Sequence, residues 1–203
     1  MKYIIGSDEV GYGAWAGPLM ICAVAVPLGW TGPAGLDDSK EYSKNKPAMV
    51  ALYHHLDQLP MSIISACNAT IDAMGVKKAL VASHTAAVRQ MLAQFPDAEI
   101  IVDGIVPLPE IPQARCLAKA DATYPAVMAA SIIAKVNRDF LMKQLHVQYP
   151  HYGWDTNAGY GGKTGKHVDG LNSHGVSPLH RRSYGPIRDR LAASRQMGLF
   201  EGR

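Results

Sequence analysis

Eight consecutive apolar residues, Leu19 to Val26 (LMICAVAV), constrain the fold of this chain more than any other stretch. Even the wider apolar segment Pro18 to Trp30 is too short for a bilayer, which takes about 20 residues, and it has a proline at its start. A run of this length is compatible with a buried strand. Lys2 to Ser7, Met61 to Ala66, Glu99 to Val102 and Arg115 to Ala118 read as further short strands. Helical spacing covers Pro47 to Gln58, Asp72 to Gln94 and Ile187 to Gln196. It is clearest over Pro125 to Leu145, which opens on proline and carries Arg138 and Lys143 late, where cations suit the helix dipole. Strands come first, then strands alternate with helices, and residues 151–186 turn to Gly, His, Asn and Ser. That order predicts an α/β fold with a core over residues 1–150 and a C-terminal extension over 151–203.

Composition narrows the class. Apolar residues make up 48% and charged residues 18% of the 203, which excludes a long disordered chain. The three cysteines (Cys22, Cys67, Cys116) are odd in number and lack metal-ligand spacing, so neither a disulfide framework nor a zinc ribbon is expected. The first ten residues meet Asp8 and Glu9 too soon for a signal peptide. A cytoplasmic protein without a membrane anchor is the expectation. Residues 1–134 hold nine Lys/Arg against twelve Asp/Glu, whereas residues 135–203 hold eleven against five. A basic C-terminal third beside an acidic front suits a polyanion lying across the molecule, although surface charge varies this much by chance.

Four carboxylates stand out by position. Asp8 and Glu9 follow the first expected strand, Asp103 follows a later one, and Asp121 precedes the long helix. Carboxylates at strand ends on one sheet edge can hold hard divalent cations such as Mg2+, which prefer oxygen ligands. Two such ions, roughly 4 Å apart, can activate water and stabilise a leaving oxygen at a phosphodiester. Taken singly, Asp103-Gly104 reads as a turn and Asp121 as a helix cap. Adjacent acids at Asp8 and Glu9, after an apolar strand, do nothing for a core.

Five blocks resemble one family in its own order. GSDEVGYGAWAGP (Gly6 to Pro18), DDSKEYS (Asp37 to Ser43), IVDG (Ile101 to Gly104) and KADATYPAVMAASIIAKVNRD (Lys119 to Asp139) are similar to segments of the type 2 ribonucleases H, ribonuclease HII. Tyr152 to Trp154, Gly159-Tyr160 and His180 to Tyr184 complete the likeness, which spans nearly the whole chain. The resemblance implies a ribonuclease H-like fold: a mixed five-stranded sheet flanked by helices, with a C-terminal helical extension. It implies that Asp8, Glu9, Asp103 and Asp121 hold two Mg2+ or Mn2+ ions, with Asp8 bridging. The implied activity is cleavage of the RNA strand of RNA/DNA hybrids, and of ribonucleotides embedded in duplex DNA, to 5′-phosphate and 3′-hydroxyl ends. Asp139, beside Arg138, reads instead as half of a structural ion pair.

The resemblance also carries a substrate-binding set. Gly11, Tyr12 and Gly13 form the turn whose glycines let the backbone approach a ribose 2′-hydroxyl. Tyr160 corresponds to a tyrosine that stacks on the deoxyribose beyond an RNA–DNA junction. Lys40, Ser131 and Lys135 fall at phosphate-contacting positions, and His180 and Arg181 approach the backbone or the active site. Two positions depart from the family pattern. Tyr12 stands where Arg or Lys is usual, and Ala158 replaces a basic residue two before Tyr160. Lys163 and Lys166 lie near enough to compensate. The departures motivate an alternative: a weak or non-catalytic hybrid-binding protein of the same fold. A phosphate-loop reading of NAGYGGKT (Asn157 to Thr164) lacks its first glycine and its preceding strand. The expected state is a monomer. A sliding-clamp partner rests only on the Gly-Leu-Phe near the C-terminus.

Overall fold

A computed structural model describes residues 1–37, 39–40, 42 and 45–200, with side chains as far as residue 194. Asp38, Glu41 and Ser43 of the expected Asp37-to-Ser43 loop lie outside the described residues, as do the side chains of the C-terminal Gly-Leu-Phe. Five strands form one sheet: β1 (Tyr3–Val10), β2 (Leu19–Pro27), β3 (Met61–Ala66), β4 (Glu99–Asp103) and β5 (Arg115–Leu117), in the order β3-β2-β1-β4-β5. The β1–β2 and β2–β3 pairs are antiparallel, while β1–β4 and β4–β5 are parallel, so the sheet is mixed.

The apolar run makes β2 because both of its faces are covered. Strand residues alternate in direction, which divides the run between two cores. Leu19, Ile21, Ala23 and Ala25 pack with Leu80, Val88 and Met91 of α3 (Val76–Leu92). Cys22, Val24 and Val26 pack with Ala129, Ile132 and Ile133 of α4 (Pro125–Gln148) and with Leu52 and Leu56 of α1 (Lys46–Leu56). Each fully buried Val, Leu or Ile contributes roughly 1.5–3 kcal/mol. Helix α4 lies directly on β1: a Cβ at Gly6 would fall 2.3 Å from the Ala126 carbonyl carbon, so glycine permits the approach.

The elements differ most from the sequence reading at β1, at the α2–α3 pair and at the ends of α4 and α7. Strand β1 runs on to Val10, so Asp8 and Glu9 sit inside it, paired with Cys22 and Ile21, instead of following it. The helix expected over Asp72 to Gln94 is two, α2 (Asn68–Met74) and α3, which meet at Gly75, where φ is 83°. Helix α4 continues to Gln148, and the last helix, α7 (Gly185–Phe200), starts two residues early. Asp139 forms the expected ion pair, with Lys135 one turn back at 2.7 Å, while the Arg138 side chain turns into the protein.

Beyond α4 come the short α5 (Trp154–Asn157), α6 (Lys166–His174) and α7. Tyr152, Trp154, Leu171 and Ile187 bury a third core against Ala16 and Met142. The C-terminal segment is thereby seated on the loop after β1 and on the later half of α4. Among the described residues, a short helix and no strand leads directly into the 157–164 segment, so the phosphate-loop reading lacks its strand here too. Among the described residues no helix is long and apolar enough to cross a membrane.

Candidate metal centre and nucleic-acid cleft

Parallel pairing of β1 with β4 ends at Ser7↔Val102, so the next residues, Asp8 and Asp103, stand side by side where β4 stops. Glu9 adds its carboxylate one position on. Ligand oxygens of Asp8, Glu9 and Asp103 all lie within 4.8 Å of one another. Asp8 is 4% exposed. Burial, and next the charge of Glu9, push its carboxyl well above the usual carboxylate range, while a hydrogen bond from Ser131 pulls the other way. Asp103 is raised first by burial and then by Asp121. Asp8 and Asp103, held back from ionisation beside Glu9, fit a divalent cation, which would supply the missing positive charge through an all-oxygen donor set.

Asp121 lies on the 3-10 turn Ala120–Ala122, buried beside this group but outside it. The Lys40 ammonium is paired with its carboxylate. Asp103 links the two, because its Oδ1 accepts from the Ala120 N–H at 2.7 Å and the Asp121 N–H at 3.4 Å.

The acids floor a cleft of about 500 Å3. One wall is Gly11, Tyr12, Gly13 and Tyr160, and the other is Lys40, Ser131 and Lys135. Ser131 and Lys135 are four apart on α4 and so share a face. Tyr12 and Tyr160 are 41% and 38% exposed and present ring surface to the cleft. The Gly11 N–H donates to the Tyr160 hydroxyl at 3.0 Å, which joins the two halves of that wall. At Gly11 φ is 90°, and a Cβ would fall 2.3 Å from Arg138 Nε. Nothing lies within 4 Å of a Cβ placed on Gly13, so the backbone there is open to an approaching ligand.

Two buried arginines hold these loops. Arg138 donates to the carbonyls of Pro18 (2.8 Å), Ala158 (2.8 Å) and Ala16 (3.2 Å), with its guanidinium 5.4 Å from the Tyr160 ring centre. Arg181 donates to the carbonyls of Gly17 (3.0 Å) and Tyr12 (2.9 Å). His180 and Arg181, expected to reach the substrate, are both fully buried. His180 accepts the Ser177 N–H at Nδ1 (3.0 Å), and its Nε2 is 3.0 Å from Nε2 of His167. His167 Nδ1 is 2.9 Å from the Tyr160 carbonyl. One proton order satisfies all three bonds with neutral rings: His180 Nε2–H donates to His167, and His167 Nδ1–H donates to Tyr160. Burial pushes His180 down to about 3 and lowers His167. Both residues position Tyr160 from behind. Lys163 and Lys166 are exposed on the same loop and its following helix.

Sequence reasoning overlooked Ser7 and His84. His84 projects from α3 into the apolar face that covers β1, and its Nδ1 is 2.9 Å from Ser7 Oγ. Its Nε2 is 3.6 Å from Glu9 Oε2 and has no hydrogen-bond partner. The available signal was a histidine interrupting a helical stripe of Leu80, Ala87, Val88 and Met91.

Comparison with known proteins follows the same lines. The family model described as Ribonuclease HII matches residues 5–185. A relative from Jannaschia sp. (strain CCS1), "Ribonuclease HII", is 40% identical over 186 residues, which is 91% of this chain and 90% of the relative. One from Lacticaseibacillus paracasei, also "Ribonuclease HII", is 40% identical over 94% of this chain and 73% of its own length. Among solved structures, the ribonuclease HII in a complex with PCNA from Archaeoglobus fulgidus superposes with a TM-score of 0.67 at 24% identity, covering 91% of this chain and 95% of that one. Bst-RNase HIII in complex with Mn2+ gives 0.67 at 20% identity, covering 96% of this chain and 70% of its own. At such identities these two bear on the fold alone.

Proposed function

Because this chain belongs to the ribonuclease HII family, and is thereby a metal-dependent endoribonuclease of the ribonuclease H class, we propose that its cleft cuts RNA/DNA hybrids and ribonucleotides embedded in duplex DNA. The convergence of Asp8, Glu9 and Asp103 carries this reading. Asp121 completes the ligand set for two ions, Mg2+ or Mn2+. When bound, the ions activate water and stabilise the leaving oxygen, giving 5′-phosphate and 3′-hydroxyl ends. A substrate phosphate entering the cleft meets the Lys40 ammonium, already held at the fourth acid. Ser131 and Lys135 line the path of the backbone along α4. Gly11 and Gly13 offer backbone to the ribose, and the rings of Tyr12 and Tyr160 offer stacking surface. His180 and Arg181 serve the substrate indirectly, by fixing the loops that touch it. Residues 1–150 act as the catalytic core, and 151–203 complete the groove. All the acids lie on one chain, which supports action as a monomer, and three free cysteines suit a reducing cytoplasm.

The experiment is cleavage of end-labelled substrates, one a continuous hybrid and one a DNA duplex with a single ribonucleotide, in Mg2+ and in Mn2+. Asp8→Asn is expected to abolish cutting and leave hybrid binding largely intact. Undiminished cleavage by that variant removes the assigned metal site. Binding without cleavage by the unaltered protein would instead favour the non-catalytic alternative raised by Tyr12 and Ala158.

A further inference from the structure

We propose that His84, backed by Ser7, is a positioning residue for the Glu9 carboxylate and sets how tightly the acid cluster binds a divalent ion. This rests on the metal-site reading above and adds to it the residues that hold one ligand in place.

Ser7 and Glu9 are two apart on β1 and share the face toward α3, whereas Asp8 faces α4. His84 stands opposite both, 2% exposed, in a helix face that is otherwise apolar around it. A buried imidazole needs a partner at each nitrogen. Ser7 Oγ partners Nδ1 at 2.9 Å. Nε2 is sealed from solvent and unbonded, and Glu9 Oε2, 3.6 Å away, is the acceptor it faces. A lone pair there would confront an anion, so Nε2 carries the hydrogen. The Ser7 hydroxyl can donate to Nδ1 or to the Cys22 carbonyl at 3.1 Å, so it adapts to either state of the ring.

Glu9 needs such a restraint. Its side chain lies between the cleft and a second cavity of about 240 Å3 on the α3 side, to which His84, Asp103 and Leu80 also contribute. A carboxylate with open space on two sides must be ordered by the ion when it binds, at a cost in affinity. An N–H behind it reduces that cost, as outer-shell partners of metal ligands do elsewhere. Packing alone does not account for the pair, since an apolar side chain at position 84 would fill the α3 face without leaving a buried nitrogen unbonded.

The test uses the full chain with Mn2+ alone, its affinity read from the electron paramagnetic resonance of the free ion, beside melting of the metal-free protein. His84→Leu is expected to bind Mn2+ about tenfold more weakly or worse, with metal-free melting unchanged or higher. His84→Gln, which keeps an N–H donor, is expected to recover part of the affinity, and Ser7→Ala to lose part of it. Mn2+ affinity within about twofold of the parent in His84→Leu overturns the proposal, as does equal weakening in the Leu and Gln variants. Should His84→Leu fail to fold, unchanged affinity in Ser7→Ala overturns it instead. If the unaltered protein binds no Mn2+, or Asp8→Asn binds it equally well, the metal site falls and this proposal with it. A loss in Asp8→Asn with none in His84→Leu overturns the His84 assignment alone.

Discussion

Replacing Arg138 by methionine tests the idea that one buried cation holds the substrate wall together. The side chain is fully buried and donates to three carbonyls, on Ala16, Pro18 and Ala158. Each acceptor left unsatisfied costs roughly 1–3 kcal/mol. The opposing effect is the burial of the guanidinium itself, whose pKa is pushed down to about 10, a penalty of about 3 kcal/mol. Methionine fills much of the volume, so the balance is a net loss of about 3 kcal/mol. For a chain of this size each kcal/mol shifts melting by about 2–4 °C, which gives a fall of about 6–12 °C by calorimetry. The carbonyls belong to the loop that carries Gly11 to Gly13 and to the one that carries Tyr160, so KM for hybrid should rise more than kcat falls. A melting temperature within about 2 °C of the parent, with KM unchanged, refutes the reasoning.

Acid should loosen the same region through His180. Its folded pKa, about 3, lies below the unfolded value, so the unfolded chain takes up the proton first and stability is lost as pH falls through about 6.5 toward 3. By pH 5 the loss is about 2 kcal/mol, and the stability gap between the parent and His180→Asn in urea should shrink by that amount from pH 7.5. A gap independent of pH contradicts a neutral buried ring. Tyr160→Phe keeps the ring above Arg138 but leaves the Gly11 N–H without its partner. A loss of about 1 kcal/mol, about fivefold in kcat/KM, is expected on a single embedded ribonucleotide, with less on a continuous hybrid. Equal losses on both point to general loosening.

The sheet was readable because β2 had only one way to be satisfied. An eight-residue apolar run needs cover on both faces, and the alternating elements around it supply that cover. The acids at positions 8 and 9 were readable for a related reason, since charges at the end of an apolar strand serve no core. Long-range partnerships were not readable. Arg138 sits just past the middle of α4, where a long cationic side chain normally reaches solvent. Its burial follows from carbonyls of loops 120 and 20 residues away in the chain. His180 and Arg181 were expected to reach the substrate, and only the seating of the C-terminal segment on the loop after β1 turns them inward. Lys40 was expected at a phosphate, and the structure pairs it with Asp121, a contact between segments 81 residues apart.

The placement of the acid cluster follows from where β4 ends. Up to Ser7, β1 is paired on both edges, with β2 on one side and β4 on the other. From Asp8 onward β2 still pairs with it, but β4 has stopped at Asp103. One edge of β1 is therefore open over its last residues, and the cleft occupies that gap. Strand alternation then sends Asp8 toward Ser131 on α4 and Glu9 toward His84 on α3. Two acids adjacent in sequence are thus held from opposite layers of the sandwich and meet Asp103 at the open edge. Shortening β1 by one residue would swap these faces, leaving Asp8 against the apolar side of α3. The site depends on strand register as much as on the identity of its carboxylates.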